Sequence, residues 1–307
     1  MNVTKQFKLL PIAGLVMLGA LTSSFSSNAA DVDESIDWSA DGELKVNITS
    51  GQIEIRGWNK NKVKLTGDFN GDADRLVFKK SGKNIKLEVK DQSSGWWGGN
   101  SGGHVDFVLH APKQSDLEID GTSLSIEIQD ISGDLDINSI SGSIRTKGGD
   151  KNNQSARADI ETVSGDIDIE DAGGKLRLRT VSGDINADVN ASTFEAKSVS
   201  GDIEGQIGQT DYASFLSVSG DIEIELILAN DSRVEGQTVS GNLELDFKER
   251  VSADFELNTG PGGDIRNRLS DDRPDDDNRW GQELNFTLKD GDSTVDLETM
   301  SGTIKLN

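Results

Sequence analysis

The phrase Val163-Ser164-Gly165-Asp166-Ile167 returns as Val181 to Ile185, Val199 to Ile203 and Val218 to Ile222. It loosens to Val239-Ser240-Gly241-Asn242-Leu243 and Met300-Ser301-Gly302-Thr303-Ile304. Two earlier versions precede it, Ile131-Ser132-Gly133-Asp134-Leu135 and Ile140-Ser141-Gly142-Ser143-Ile144. From Gly165 through Gly183, Gly201, Gly220 and Gly241 the steps are 18, 18, 19 and 21 residues. A period near 20 residues implies stacked units, none of which can bury its apolar face alone.

Around each central glycine, apolar and polar residues alternate. Leu176, Leu178 and Thr180 come before one corner, and Phe194, Ala196 and Ser198 before the next. Ile185, Ala187 and Val189, or Ile222, Ile224 and Leu226, come after. Alternation with period two marks a strand with one buried face, and the phase shift at Val-Ser-Gly marks a bend where glycine lets the chain change direction. The pattern predicts an all-β fold, a single-stranded parallel β-helix or β-solenoid with coils of about 18–22 residues. Each coil is expected to hold two short strands, a Ser-Gly corner and a return turn such as Asp171-Ala172-Gly173-Gly174 or Ala229-Asn230-Asp231. Isoleucines of successive coils would stack inside, about 4.8 Å apart.

Residues 1–30 read as a secretory signal peptide. Lys5 and Lys8 are basic, Leu9 to Leu21 is mainly apolar, and Ser27-Asn28-Ala29 and Ala30 supply small residues for cleavage. An uncleaved anchor is the alternative, but Thr22, Ser23, Ser24, Ser26 and Ser27 crowd the end of the apolar run. No later segment is apolar enough to span a bilayer. Residues 31–307 are expected to form one solenoid domain, with 31–120 as less regular N-terminal coils and a cap, and 121–307 as the Ser-Gly-Asp coils. The chain would be exported, to the periplasm or the cell surface.

Cysteine is absent, so disulfides, thiolate metal sites and a cysteine nucleophile are excluded. The formal charge is −23, and removing residues 1–30 takes away Lys5 and Lys8 and no acid, leaving −25. So acidic a surface repels nucleic acid and anionic lipid head groups. The two histidines, His104 and His110, share one face of a strand with Asp106. Six residues of extended chain hold them about 20 Å apart, too far to ligate one ion.

Gly51-Gln52-Ile53-Glu54-Ile55-Arg56-Gly57-Trp58, Val63 to Gly67, Val105 to Pro112 and the repeated phrase together resemble the bacterial β-strand-repeat family of unknown function labelled "putative adhesin". The resemblance runs from about Leu44 to the end and breaks at Asp264 to Trp280, where an acidic insertion stretches the spacing. It implies a β-solenoid, association with the envelope and no established enzymatic activity; some relatives are implicated in envelope-stress responses. It offers no catalytic residues to carry over.

Asp166, Asp184, Asp202 and Asp221 would stack as an outward ladder beside Ser164, Ser182, Ser200, Ser219 and Ser240. Two charges about 4.8 Å apart repel by roughly 0.9 kcal/mol in water and about 3.5 at an effective dielectric of 20. The carboxylates therefore need solvent, hydrogen bonds or cations. A weak calcium strip is one reading. The other is a turn-forming Asp that bonds the corner backbone, favoured because no Gly-Gly-x-Gly-x-Asp repeat is present. The acidic stretch Ser270 to Arg279 lacks EF-hand spacing and reads as a solvated loop, and Asp68 to Asp74 as a turn.

Trp96 and Trp97 sit in a Gly/Ser-rich loop between Ser93 and Gly103, and are the ligand-binding candidates. Such aromatics either contact a sugar, protein or membrane interface, or fold over an open end of the solenoid as a cap. Trp38, Trp58 and Trp280 read as packing residues, and Arg177 and Arg179 as partners of nearby acids. The expected function is a non-catalytic envelope-associated scaffold or adhesin-like binding module, with an envelope protein or surface glycan as partner and no cofactor or metal. A periplasmic regulatory protein of the envelope-stress kind is the alternative, and a polysaccharide-active enzyme the third reading.

Overall fold

Alternating apolar residues become strands, and among the described residues twenty strands join into one sheet that winds on itself. The computed structural model describes residues 30–70, 75–90, 104–275 and 280–307. Except for Ala30, the signal segment lies outside the described residues, as do Trp96, Trp97 and part of the Asp68 to Asp74 turn.

The N-terminal end is built from β1 (Ala30–Asp37), β2 (Glu43–Trp58), β3 (Lys62–Phe69), β4 (Leu76–Ser81), β5 (Asn84–Val89) and β6 (His104–Pro112). β2 is a whole coil: its first half pairs in parallel with β5, its second half with β6, and both halves with the next strand, β7 (Asp116–Gln129). Outside it the pairing turns antiparallel, with β4 on β5, β3 on β6 and β1 on β3. The outermost strand, β1, carries Asp31, Asp33, Glu34 and Asp37, charges that oppose edge-to-edge pairing.

The middle of the molecule is the regular winding. It comprises β8 (Leu135–Asn138), β9 (Ile144–Lys147), β10 (Arg157–Glu161), β11 (Ile167–Arg179), β12 (Ile185–Lys197), β13 (Ile203–Ser217), β14 (Ile222–Thr238) and β15 (Leu243–Phe247). Every pairing among these strands is parallel. Ile126, Ile144, Ile167, Ile185, Ile203, Ile222 and Leu243 stand in register, coil over coil, and all are buried. Each such pair contributes about 0.2–1 kcal/mol beyond simple burial. On the other side of the core Phe194 lies over Ala213 and Ala196 over Phe215, so large and small residues complement each other between coils.

The return turns expected at Asp171 to Gly174 and Ala229 to Asp231 are not breaks. β11 and β14 run through them as continuous strands, and the direction changes at bulges. Asp171 (φ 61°), Gly174 (φ 82°) and Asp231 (φ 56°) supply the left-handed backbone there.

The C-terminal end is β16 (Ala253–Thr259), β17 (Asp264–Asn267), β18 (Glu283–Leu288), β19 (Ser293–Thr299) and β20 (Thr303–Leu306). The last coil in sequence, Thr294 to Asn307, is not the last in space but is inserted into the stack. β19 lies between β14 and β16, and β20 between β15 and β17. The outer layer is β16 and β17, with β18 antiparallel on β16 and Phe255 stacked on Phe286 at 4.5 Å. The chain skips one rung after β15 and returns to fill it, a long-range pairing that no local pattern encodes. The first four residues of the acidic insertion form β17, and the 78% exposure of Trp280 removes it from the packing residues.

A candidate binding surface along the Val-Ser-Gly-Asp corner

The repeated phrase forms one long edge of the solenoid, and each of its residues has a distinct task. The Thr or Ser before each Val points inward. Thr180 donates its hydroxyl to the Gly165 carbonyl (3.2 Å), Ser198 to Gly183 (3.4 Å), Ser217 to Gly201 (3.4 Å), Thr238 to Gly220 (3.3 Å) and Thr299 to Gly241 (3.1 Å). The Ser after each Val donates its backbone N–H to the Val carbonyl one coil back, at 2.9 Å from Ser182, Ser200, Ser219 and Ser240.

From Gly165 to Gly241 the corner glycines are needed for closeness, not for a left-handed turn. A Cβ on Gly201 would stand 1.9 Å from the Gly183 carbonyl oxygen, and one on Gly183 would stand 2.1 Å from that of Gly165. Neither has a positive φ in the left-handed range. The bend thus depends on coils approaching backbone to backbone, not on the conformational freedom the sequence pattern suggested.

The aspartates form the outward ladder. Asp166 accepts the backbone N–H of Asp184 (3.1 Å), Asp184 that of Asp202 (2.9 Å), Asp202 that of Asp221 (2.7 Å) and Asp221 that of Asn242 (2.7 Å). Asn242 passes the pattern on to Thr303 (3.0 Å). Each carboxylate therefore caps the next coil through a charge-assisted hydrogen bond, which offsets repulsion within the ladder. This is the corner-bonding role. Among the described residues no cluster of three or more acids or histidines is placed to hold a metal ion.

The valines do what the sequence reading missed. Val163, Val181, Val199, Val218 and Val239 are 39–46% exposed, and Ile140 and Met300 extend the row at 54% and 52%. Hydrogen bonds between neighbouring corners hold them coil over coil. Seven apolar side chains thus form a row about 29 Å long, at roughly 4.8 Å per rung. An apolar residue at a fixed place in every repeat was visible; its direction was not.

The other candidates are dispersed. His104 and His110 share one face of β6. Burial, with the charges of Arg56 and Lys64, pushes the His110 imidazole below its ordinary value, and Trp58 packs against it at 5.0 Å. Trp38 is buried and donates its indole N–H to Lys83. Arg177 pairs with Asp159 and Glu195 in an open groove also lined by Asp134, Asp136 and Arg157, and Arg179 pairs with Glu161 and Asp159. Burial raises the Asp136 carboxyl above its ordinary value, with Asp159, Glu118 and Asp120 adding to it. The Trp96-Trp97 loop lies outside the described residues.

A family model described as Toastrack DUF4097 matches residues 42–307. No curated protein matches the chain. Among solved structures the chain is similar to a putative adhesin from Bacteroides fragilis, with 11% identity, 91% of this chain and 97% of that chain covered, and a TM-score of 0.40. It is also similar to a putative lipid binding protein from Parabacteroides distasonis, with 14% identity, coverage of 92% and 98%, and a TM-score of 0.43. A putative cell adhesion protein from Clostridium sporogenes shows 12% identity, coverage of 90% and 99%, and a TM-score of 0.26.

Proposed function

The chain belongs to the Toastrack DUF4097 family, whose fold is a β-solenoid, and from that premise we propose that it is a non-catalytic, exported, envelope-associated scaffold that binds a partner along its length. The observation that carries this reading is the exposed apolar row on the Val-Ser-Gly-Asp edge. A contiguous apolar strip on an otherwise strongly acidic surface costs solubility unless something covers it. It recurs coil after coil, beside corner residues whose hydrogen bonds hold it rigid.

Export is supported by Lys5, Lys8, the apolar run Leu9 to Leu21 and the small residues before Asp31. Residues 31–307 then act as one solenoid domain. Among the described residues no helix is long and apolar enough to cross a membrane. The partner is an envelope protein or a surface glycan, and Trp96 and Trp97 form a second contact.

Fractionation of native cells, followed by affinity capture with the chain lacking residues 1–30, tests the reading. The expected result is recovery in the envelope fraction together with a bound partner. Recovery in the cytoplasm, or turnover of a polysaccharide abolished by one acid substitution, would overturn it.

A further inference from the structure

We infer that the apolar row docks an amphipathic helix of a polypeptide partner, one whose apolar seam is flanked on one side by lysines or arginines. This rests on the binding-scaffold reading and names the partner's chemistry. The row rises about 4.8 Å per rung. An α-helix lying along it repeats its apolar seam every ~5.4 Å, whereas an extended chain repeats same-side residues every ~6.8 Å. Over six rung steps the helix drifts by about 4 Å, less than one turn, so roughly 19 residues of helix match the row's length.

Charge decides which flank is basic. Asp166, Asp184, Asp202 and Asp221 follow their valines by three residues, at most about 10 Å away along the chain. Their hydrogen bonds go to backbone N–H groups or to Asn242, and none has an ion-pair partner among the described residues. That leaves four stacked carboxylates whose charge is uncompensated. The opposite flank, two residues before the corner, holds Glu161, Arg179, Lys197, Leu216 and Gln237, of mixed sign. A helix with basic residues on the aspartate side satisfies both flanks. A second copy would bring together two chains that each carry a formal charge of −25 without residues 1–30, and an anionic bilayer would meet the same ladder.

The test uses the chain lacking residues 1–30 and a synthetic peptide of about twenty residues, with leucines at helical spacing along one seam and lysines on one flank. A control peptide of identical composition has its leucines spread around the helix. Fluorescence anisotropy should show binding of the first and at least roughly tenfold weaker binding of the second. The triple variant Val181→Ser, Val199→Ser, Val218→Ser should weaken binding by roughly tenfold or more. The pair Asp184→Asn, Asp202→Asn keeps the corner hydrogen bonds and should flatten the salt dependence. Unchanged melting curves confirm that both variants fold.

Equal binding of both peptides, or full binding by the triple variant, would overturn the inference. So would a dimer in sedimentation equilibrium that the triple variant abolishes, which assigns the row to a second copy. Co-sedimentation with phosphatidylcholine vesicles that the triple variant abolishes would assign it to lipid. If the triple variant still captures its envelope partner from cells, this inference falls and the scaffold reading stands.

Discussion

The carboxylate of Asp184 accepts the backbone N–H of Asp202, one coil further along, at 2.9 Å. The same bond recurs from coil to coil, so the most conspicuous acids in the repeat serve as caps between rungs. Asp184→Ala leaves that N–H to solvent and should cost about 1 kcal/mol in denaturant unfolding. Asp184→Asn should cost less, because Asn242 already fills the same role toward Thr303. Equal losses for the two variants would show that the charge, not the hydrogen bond, is what matters.

Gly201 and Gly82 should respond to alanine for opposite reasons. At Gly201 the added Cβ meets the Gly183 carbonyl at 1.9 Å, so two coils must separate. We expect a loss of about 2 kcal/mol or more in melting or denaturant experiments. At Gly82 there is open space but a φ of 64°, and the loss should stay near 1 kcal/mol.

Leu297 distinguishes an inserted coil from a terminal one. It is fully buried in β19, with β14 on one side and β16 on the other. Leu297→Ala should therefore cost about 2–5 kcal/mol, as for a leucine in the middle of a core. Hydrogen exchange should find the β19 amides as slow as those of β13. Rapid exchange at β19 would mean that the last coil frays as an end.

Stability should fall in two stages on acidification. Burial, then Arg56 and Lys64, hold the His110 imidazole below its ordinary 6.5. The unfolded chain then binds the extra proton first, so this contribution is complete above about pH 6.5 and is lost as pH falls below it. The hydrogen bond from Lys305, with another from Asn307, holds the Glu244 carboxyl below its ordinary 4.5. Its contribution is present above about pH 4.5 and is lost as pH falls through the folded value. Unfolding free energies measured against pH should lose the upper stage in His110→Gln and the lower stage in Glu244→Gln. If neither variant changes the profile, these two groups do not set it.

The two earliest copies of the phrase show where reading by sequence stops. Ile131 and Ile140 open nearly the same five residues, nine positions apart. Ile131, before β8 on the return edge, is 5% exposed, whereas Ile140 begins the exposed row at 54%. Nearly the same local chemistry thus points inward at one corner and outward at the other. Which occurs depends on which side of the winding the corner falls.

By itself the amino-acid sequence determined the coil: its length, the isoleucine column, the corner at Ser-Gly and the aspartate that caps it. Those follow from period-two alternation and from a repeat that places like residues over like, both of which are local. Only the tertiary structure decided the outward valines, the reason for the glycines and the insertion of β19 and β20 between earlier and later strands. Each of these depends on how closely one coil meets another and in what order, and residues far apart in the chain settle that.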